Sequence, residues 1–404
     1  MRLLYIANAR IPTEKAHGLQ IMQNCEALAR AGAEVTLRTP RRVNTRELRA
    51  VADPWAHYGV HPCFTLQRLP CLDLQWLVGE RIALLRRAAF LLQVISWLFV
   101  LTITLLPGRR SDVYYTRDLP VAGLLVLLRR GGRLSYEPHR ISGSGAGRWL
   151  QARVMRHAAA LYPVTAAMAR QAEELGATCE QLCVVHDGIR VERFTDMPSR
   201  ETARQQLGWN SDRFVVGYVG RLQTMAMDKG VGSLTKAVAA VENMAIALVG
   251  GPEERVRELR NLWHGCGRSD DDFLVAGQVK PEAVPLHLAA FDVCAMPFPW
   301  TEHFAWYASP VKLFEYMSSG RPLVATDLPA VAEVVRHGEH ALLVPPDDIP
   351  ALREALLRLQ EDAALRQRLA CNAREEVMGR YTWAHRARRI LRHLERRTGF
   401  TAMP

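Results

Sequence analysis

Two cations and a carboxylate stand out in the second half of the chain. Gly220-Arg221-Leu222 closes an apolar run, and Asp228-Lys229-Gly230 follows at the start of the next helical stretch. A guanidinium and an ammonium held beside glycines suit a ligand with two or more negative charges, such as a diphosphate. Surface solvation explains any single Arg or Lys, but explains less well a pair that flanks glycines at a strand end. Further on, Ser309 reads as a helix N-cap and Pro310 as the first helical residue, followed by Val311. Free amides at Ser309–Val311 would form a second phosphate site, through their N–H groups and the helix dipole. Glu315 follows about one and a half turns later, where a carboxylate can accept two hydrogen bonds from ribose hydroxyls. An ordinary helical glutamate is the alternative. Gly250-Gly251-Pro252 is another turn at a strand end, where a missing side chain admits a ligand.

The first half offers less. Gly18 ends the loop Pro12–Gly18 before the helix expected over Leu19–Ala31, and it either lets backbone N–H groups approach an anion or forms a plain turn. His139 ends a strand in Tyr136-Glu137-Pro138-His139 and is placed to enter a ligand crevice, with a structural histidine as the alternative. Ser142–Gly147 reads as a mobile loop. No GxGxxG fingerprint, paired-cysteine zinc spacing or Asp-rich cluster is visible, so neither a dinucleotide cofactor nor a metal is expected.

These residues need elements to hold them. Short apolar runs alternate with helical stretches at Arg2–Ala7, Glu34–Thr39, Asp112–Thr116, Arg133–Glu137, Ala160–Val164 and Leu182–His186. They recur at Phe214–Gly220, Ala245–Gly250, Phe273–Ala276, Asp292–Pro297, Pro322–Thr326 and His340–Val344. Such a pattern predicts parallel sheets covered on both faces, and two series in tandem predict an α/β chain of two doubly wound Rossmann-like domains facing a central cleft. The expected domains are residues 1–195 and 196–380, with a helix over 381–397 packing back towards the first. A length of 404 residues, 49% hydrophobic and 23% charged, fits two globular domains.

The 52 Lys+Arg against 41 Asp+Glu leave a net charge of +11, which favours an anionic partner. No nucleic-acid reading motif or aromatic platform accompanies that charge, so nucleic acid is not the expected partner. The eight scattered cysteines and an opening strand without a basic leader point to the cytoplasm. Ala88–Leu106 complicates this picture. It carries no charge, and a helix of that length runs about 28 Å, close to a bilayer core. Arg86, Arg87, Arg109 and Arg110 flank it. Burial against the sheet, contact with a membrane or partner, and a true span are the three readings. A span is the poorest, since it would divide one sheet across a bilayer.

The joint order of Gly220-Arg221-Leu222, Lys229-Gly230, Gly250-Gly251, Gly277-Gln278-Val279 and Ser309–Pro322 resembles the family-four retaining glycosyltransferases, which have the GT-B fold. Pro12–Gly18, Tyr115-Thr116-Arg117-Asp118 and the linker from His186-Asp187-Gly188-Ile189 to Phe194 are similar to that family as well. The resemblance covers nearly the whole chain, least clearly Pro54–Leu106. It implies that Arg221 and Lys229 neutralise a leaving diphosphate, that Glu315 holds the ribose, and that Ser309–Val311 amides hold the distal phosphate. Gly18 and His139 would face the donor sugar. It also implies a nucleotide diphosphate sugar as donor, no metal, and retention by same-face attack. One departure is Tyr307, which stands where the family often has a sugar-binding glutamate; Glu302 is out of register. The expected acceptor is lipid-linked or membrane-borne, with attachment to the cytoplasmic face of an anionic membrane through residues 81–110. The alternatives are a soluble small-molecule acceptor, or a nucleotide-sugar epimerase or phosphorylase on the same fold.

Overall fold

The structure is a computed structural model that describes residues 1–13, 15–78, 83–106, 111–209, 212–224, 227–309 and 311–402. It divides into two compact units. Met1–His186 and Trp383–Pro404 form the first, and Asp187–Thr382 the second. The first unit therefore ends before the expected boundary at residue 195. In the second unit the Ser199 hydroxyl caps a helix over Arg200–Leu207.

In the first unit the strands are β1 (Arg2–Ile6), β2 (Glu34–Pro40), β3 (Thr65–Leu69), β4 (Val113–Thr116), β5 (Leu134–Tyr136) and β6 (Ala160–Leu161). They pair in parallel in the order β3-β2-β1-β4-β5-β6. The expected strand Leu182–His186 is not one. It touches β6 through a single bridge, Leu161↔Leu182, and its amides find Leu161 and Pro163 carbonyls. Pro163 has no N–H to return a bond, so no ladder grows there. The sixth strand is β3 instead, an edge strand with three exposed residues among its five, which explains why it lacks an apolar signature. Helix Trp383–Thr398 belongs to this unit. Its Trp383, Ala387, Ile390, Leu391 and Leu394 are buried in one cluster with Tyr5, Tyr115 and Tyr162 of the sheet side.

The second unit has β7 (Phe214–Val219), the short hairpin strands β8 (Gln223–Thr224) and β9 (Met227–Asp228), then β10 (Met244–Val249), β11 (Phe273–Gly277), β12 (Val293–Met296), β13 (Leu323–Thr326) and β14 (Leu342–Val344). Its sheet runs β11-β10-β7-β12-β13-β14, the same winding as the first. β10 is buried at all six positions, as an internal parallel strand must be when helices cover both faces. In each sheet the winding direction reverses beside the first strand, at β1/β4 and at β7/β12. Ligands of open α/β sheets bind at the carboxyl ends of strands at such a point.

Two local expectations change. Ser142–Gly147 is not a free loop: Ser144 caps the helix Gly145–His157, and the Gln151 side chain accepts from the Ser142 N–H at 2.9 Å. The apolar stretch forms the helix Ala83–Leu105, of which Ala89, Gln93, Trp97, Leu101 and Leu105 are buried. That one narrow stripe, every fourth residue, holds the helix to the first unit. Leu91, Ile95, Phe99 and Ile103 on another stripe are exposed, Phe99 at 66%. Full burial against the sheet is therefore corrected, because only one side of the helix meets protein. A span is opposed too, since Trp97, Leu101 and Leu105 lie in a core cluster with Leu4, Ile6 and Tyr114.

Candidate active site

The second unit gathers its charged residues at the carboxyl end of β7. Gly220 follows that strand with φ +123°, and a Cβ there would lie 1.4 Å from Lys312 Nζ. The backbone angle favours glycine there, and the end of the Lys312 side chain occupies the space a Cβ would take. Gly250 closes β10 beside it, and a Cβ at Gly250 would meet the Gly220 carbonyl at 2.1 Å. Arg221 is exposed, and its carbonyl accepts from the Tyr218 hydroxyl at 2.9 Å. Gly230, with φ +72°, starts the helix Val231–Ala239; a Cβ there would strike the Pro297 carbonyl. That close approach presses Lys229 into the protein, where it is only 8% exposed, its Nζ 5.9 Å from the Phe298 ring centre. Burial, then repulsion from Arg221, pushes the Lys229 ammonium down to about 8.

The helix Val311–Ser318 brings in the rest. Val311 is its first residue, and Pro310 lies outside the described residues. Ser309 does not read simply as an N-cap: its hydroxyl accepts from the Asp187 N–H at 2.9 Å. Glu315 faces Arg193, with Nη1 to Oε1 at 3.5 Å. Burial raises the Glu315 carboxyl above its ordinary value, although Arg193 and Lys312 oppose the rise. Tyr307 sits in a π-helical turn, His303–Tyr307, and donates to Glu302 Oε1 at 3.0 Å, so the two residues weighed for the departing glutamate touch each other. Sequence reasoning missed Lys312 and Arg193. Lys312 was findable, since it stands three residues before Glu315, on the same helix face. Arg193 was not, since only folding brings it within reach.

In the first unit, Gly18 lies inside the first turn of the helix Ala16–Arg30 rather than before it. A Cβ there would come within 2.4 Å of Thr13 Cγ2 and 2.7 Å of the Tyr58 hydroxyl, so packing alone demands the glycine. His139 is held on both sides: its Nε2 is 2.7 Å from Glu137 Oε1, and its Nδ1 is 3.0 Å from an Arg117 Nη. A guanidinium can only donate, so Nδ1 accepts and Nε2 carries the proton to the carboxylate. Both ring nitrogens are thus engaged, which argues against a free general base. Glu137 is buried, accepts from the Tyr115 hydroxyl, and pairs with Arg386 at 2.8 Å. Burial opposes its ionisation, but Arg386, then His139 and Arg117, outweigh that and hold the carboxyl well below its ordinary range. Asp118 accepts the Asn8 N–H at 2.6 Å, and the Gln93 amide of the apolar helix reaches Asn8 Oδ1 at 3.1 Å.

All eight cysteines are free thiols. Among the described residues no three His, Cys, Asp or Glu side chains form a set able to hold a metal ion.

Residues 213–362 match the family described as "Glycosyl transferases group 1", and residues 17–188 match the "Glycosyl transferase 4-like domain". The chain belongs to the group 1 glycosyl transferases. The group 1 match spans every strand of the second unit and contains Arg221, Lys229, Gly250, Lys312 and Glu315, and the other match spans the strands of the first unit except β1. Among curated relatives, a D-inositol 3-phosphate glycosyltransferase of Nocardioides is 30% identical over 225 residues, 52% of this chain and 47% of the relative. A phosphatidyl-myo-inositol mannosyltransferase of Mycobacterium leprae is 29% identical over 214 residues, 52% and 54% of the two chains. The chain spans about half the length of the curated relatives it matches. Solved structures agree on the fold. HepE of Anabaena, in complex with UDP, superposes with a TM-score of 0.70 at 20% identity, covering 98% of this chain and 100% of that one. Sucrose-phosphate synthase of Thermosynechococcus elongatus gives 0.73 at 18%, covering 96% and 97%.

Proposed function

We propose that this chain is a retaining glycosyltransferase that moves a sugar from a nucleotide diphosphate sugar to a lipid-linked or otherwise membrane-borne acceptor at the cytoplasmic face of a membrane, without a divalent metal. The observation that carries the reading is the convergence of Arg221, Lys229 and Lys312 with Glu315 at the carboxyl end of β7. Three cations around a glycine turn suit a diphosphate, and a carboxylate one helical turn beyond Lys312 suits the ribose hydroxyls. Family membership and the UDP seen in a structural neighbour support the same donor class.

In the reaction, the bond from sugar C1 to the diphosphate oxygen breaks while the acceptor oxygen bonds to C1 on the same face. The acceptor proton passes to the departing phosphate. Preplaced cations and helix amides stabilise the charge that builds on the diphosphate; losing one such donor costs about 10²–10³ in kcat. Arg221 and Lys229 take this role, Ser309–Val311 hold the distal phosphate, and the first unit receives the acceptor. The relatives named for D-inositol 3-phosphate and phosphatidyl-myo-inositol support a phosphorylated or lipid acceptor. A membrane location is supported by the exposed apolar stripe of Ala83–Leu105 and by exposed Arg86 and Arg87 at its start.

The purified protein, incubated with a panel of nucleotide diphosphate sugars and a lipid extract, should release nucleoside diphosphate and label the lipid fraction, equally well in EDTA. Isomerised donor without nucleotide release would instead mean an epimerase, and dependence on inorganic phosphate a phosphorylase. Labelling only of a water-soluble acceptor would leave the enzyme class and remove the lipid. Strict dependence on added magnesium or manganese would overturn the metal-free part.

A further inference from the structure

Lys312 has no assigned role, yet its position is demanding. Its Nζ occupies the space that any side chain at residue 220 would fill, and lies 5.5 Å from the Tyr218 ring centre. No hydrogen-bond acceptor meets either the Lys312 or the Lys229 ammonium among the described residues. Other charged groups surround the pair. Arg221 stands beside Lys229, His303 in the π-helical turn acts with Lys229, and Glu315 with its partner Arg193 lies one turn along the helix from Lys312. Glu315 is the carboxylate that opposes the Lys312 shift, and Arg193 already shares it.

We propose that Lys312 is a third diphosphate-binding cation, its ammonium held against Gly220 at the strand end that also carries Arg221 and Lys229. The inference rests on the donor reading above. Bringing two ammonium groups together in a half-buried site disfavours their charged forms. Burial, then Lys229, pushes Lys312 down to about 7, with Glu315 opposing, while Lys229 itself lies at about 8. A diphosphate beside them favours both charged forms. The bound pKa values then exceed the free ones, so binding takes up protons and strengthens as pH falls from 9 towards 7.

The test uses the full chain and titration calorimetry with UDP, GDP and their monophosphates, at pH 7, 8 and 9, in buffers of different ionisation enthalpy. Wild type should take up protons on binding diphosphate, more at pH 9 than at pH 7, and lose well over tenfold in affinity from pH 7 to 9. Lys312→Met keeps the length of the side chain over Tyr218. It should bind diphosphate about tenfold more weakly at pH 7, with a flatter pH dependence and smaller proton uptake, while monophosphate binding changes much less. Melting of the ligand-free variant checks its fold, and Lys312→Gln serves if the methionine variant does not fold. Equal weakening of mono- and diphosphate would mean that Lys312 only positions Glu315, and would overturn the proposal. So would unchanged diphosphate affinity and proton uptake, leaving the donor reading intact. Failure of wild type to bind any nucleoside diphosphate would overturn both.

Discussion

Glu315 and Arg193 are 3.5 Å apart, a loose pair for two groups screened from water, so the carboxylate keeps lone pairs free for a ligand. If it holds the ribose, Glu315→Ala should lower kcat/KM for the nucleotide sugar by about 10²-fold or more, since it removes two charge-assisted bonds and leaves Arg193 facing a void. A near-normal value, with a fold intact by circular dichroism, would reject the assignment. Lys229→Ala and Arg221→Ala should each reduce kcat by about 10²-fold with a smaller change in KM, because their charge matters most as the diphosphate departs. A pure KM effect in steady-state kinetics would demote them to ground-state binding. His139 reads differently at this scale: Glu137 and Arg117 hold both ring nitrogens and fix the ring in place.

Among elements, the helix Ala83–Leu105 departs most from what a globular protein usually does with apolar residues. Single exposed leucines are ordinary, but here Leu84, Leu91, Ile95, Phe99 and Ile103 are exposed along one element. Leu72, Leu74, Trp76 and Leu77 add to them, and the Leu72 N–H bonds Ser96 Oγ at 2.9 Å, which fixes that loop against the middle of the helix. Insertion of this face into the headgroup boundary would be driven by apolar area, with Arg86 and Arg87 adding about 1 kcal/mol each near anionic lipid. Flotation with anionic vesicles should therefore persist in part at high salt, and Ile95→Glu with Phe99→Glu should abolish it while nucleotide binding is kept. Binding that salt removes completely would place the attraction in the basic residues alone. Indifference to vesicles at any salt would end the membrane proposal and leave the glycosyl transfer untouched.

On the scale of the molecule, the chain leaves its first unit at His186 and returns to it at Trp383. The return is anchored by Arg386, which donates to the Val185 and His186 carbonyls and pairs with Glu137, both side chains almost fully buried. Removing one partner of such a pair leaves an uncompensated charge, so Arg386→Met should cost about 3–5 kcal/mol in urea unfolding at pH 7. The pH dependence follows from the depressed Glu137 carboxyl. Its contribution is fully present above the ordinary carboxylate range and is lost as pH falls through the lower folded value. The variant should therefore lose stability less steeply than wild type on the acid side, and parallel acid limbs would deny that Arg386 is the cause.

What the sequence determined by itself were features set by local chemistry. Internal strands such as β7 and β10 are continuous apolar runs because both their faces are covered, and they stood out for that reason. The glycine turns at Gly220 and Gly250, with Arg221, Lys229 and Glu315 near them, were legible because strand ends and helix starts are marked by residue type. What only tertiary structure decided depended on partners far apart in the chain. The edge strand β3 carries polar residues and exists because β2 offers it a ladder. Arg193 reaches Glu315 across 122 residues and Arg386 reaches Glu137 across 249, and no spacing rule announces either. The apolar helix makes the same point: composition told that it avoids water, but which stripe meets protein was settled by Trp97 and Leu101 entering the first unit's core.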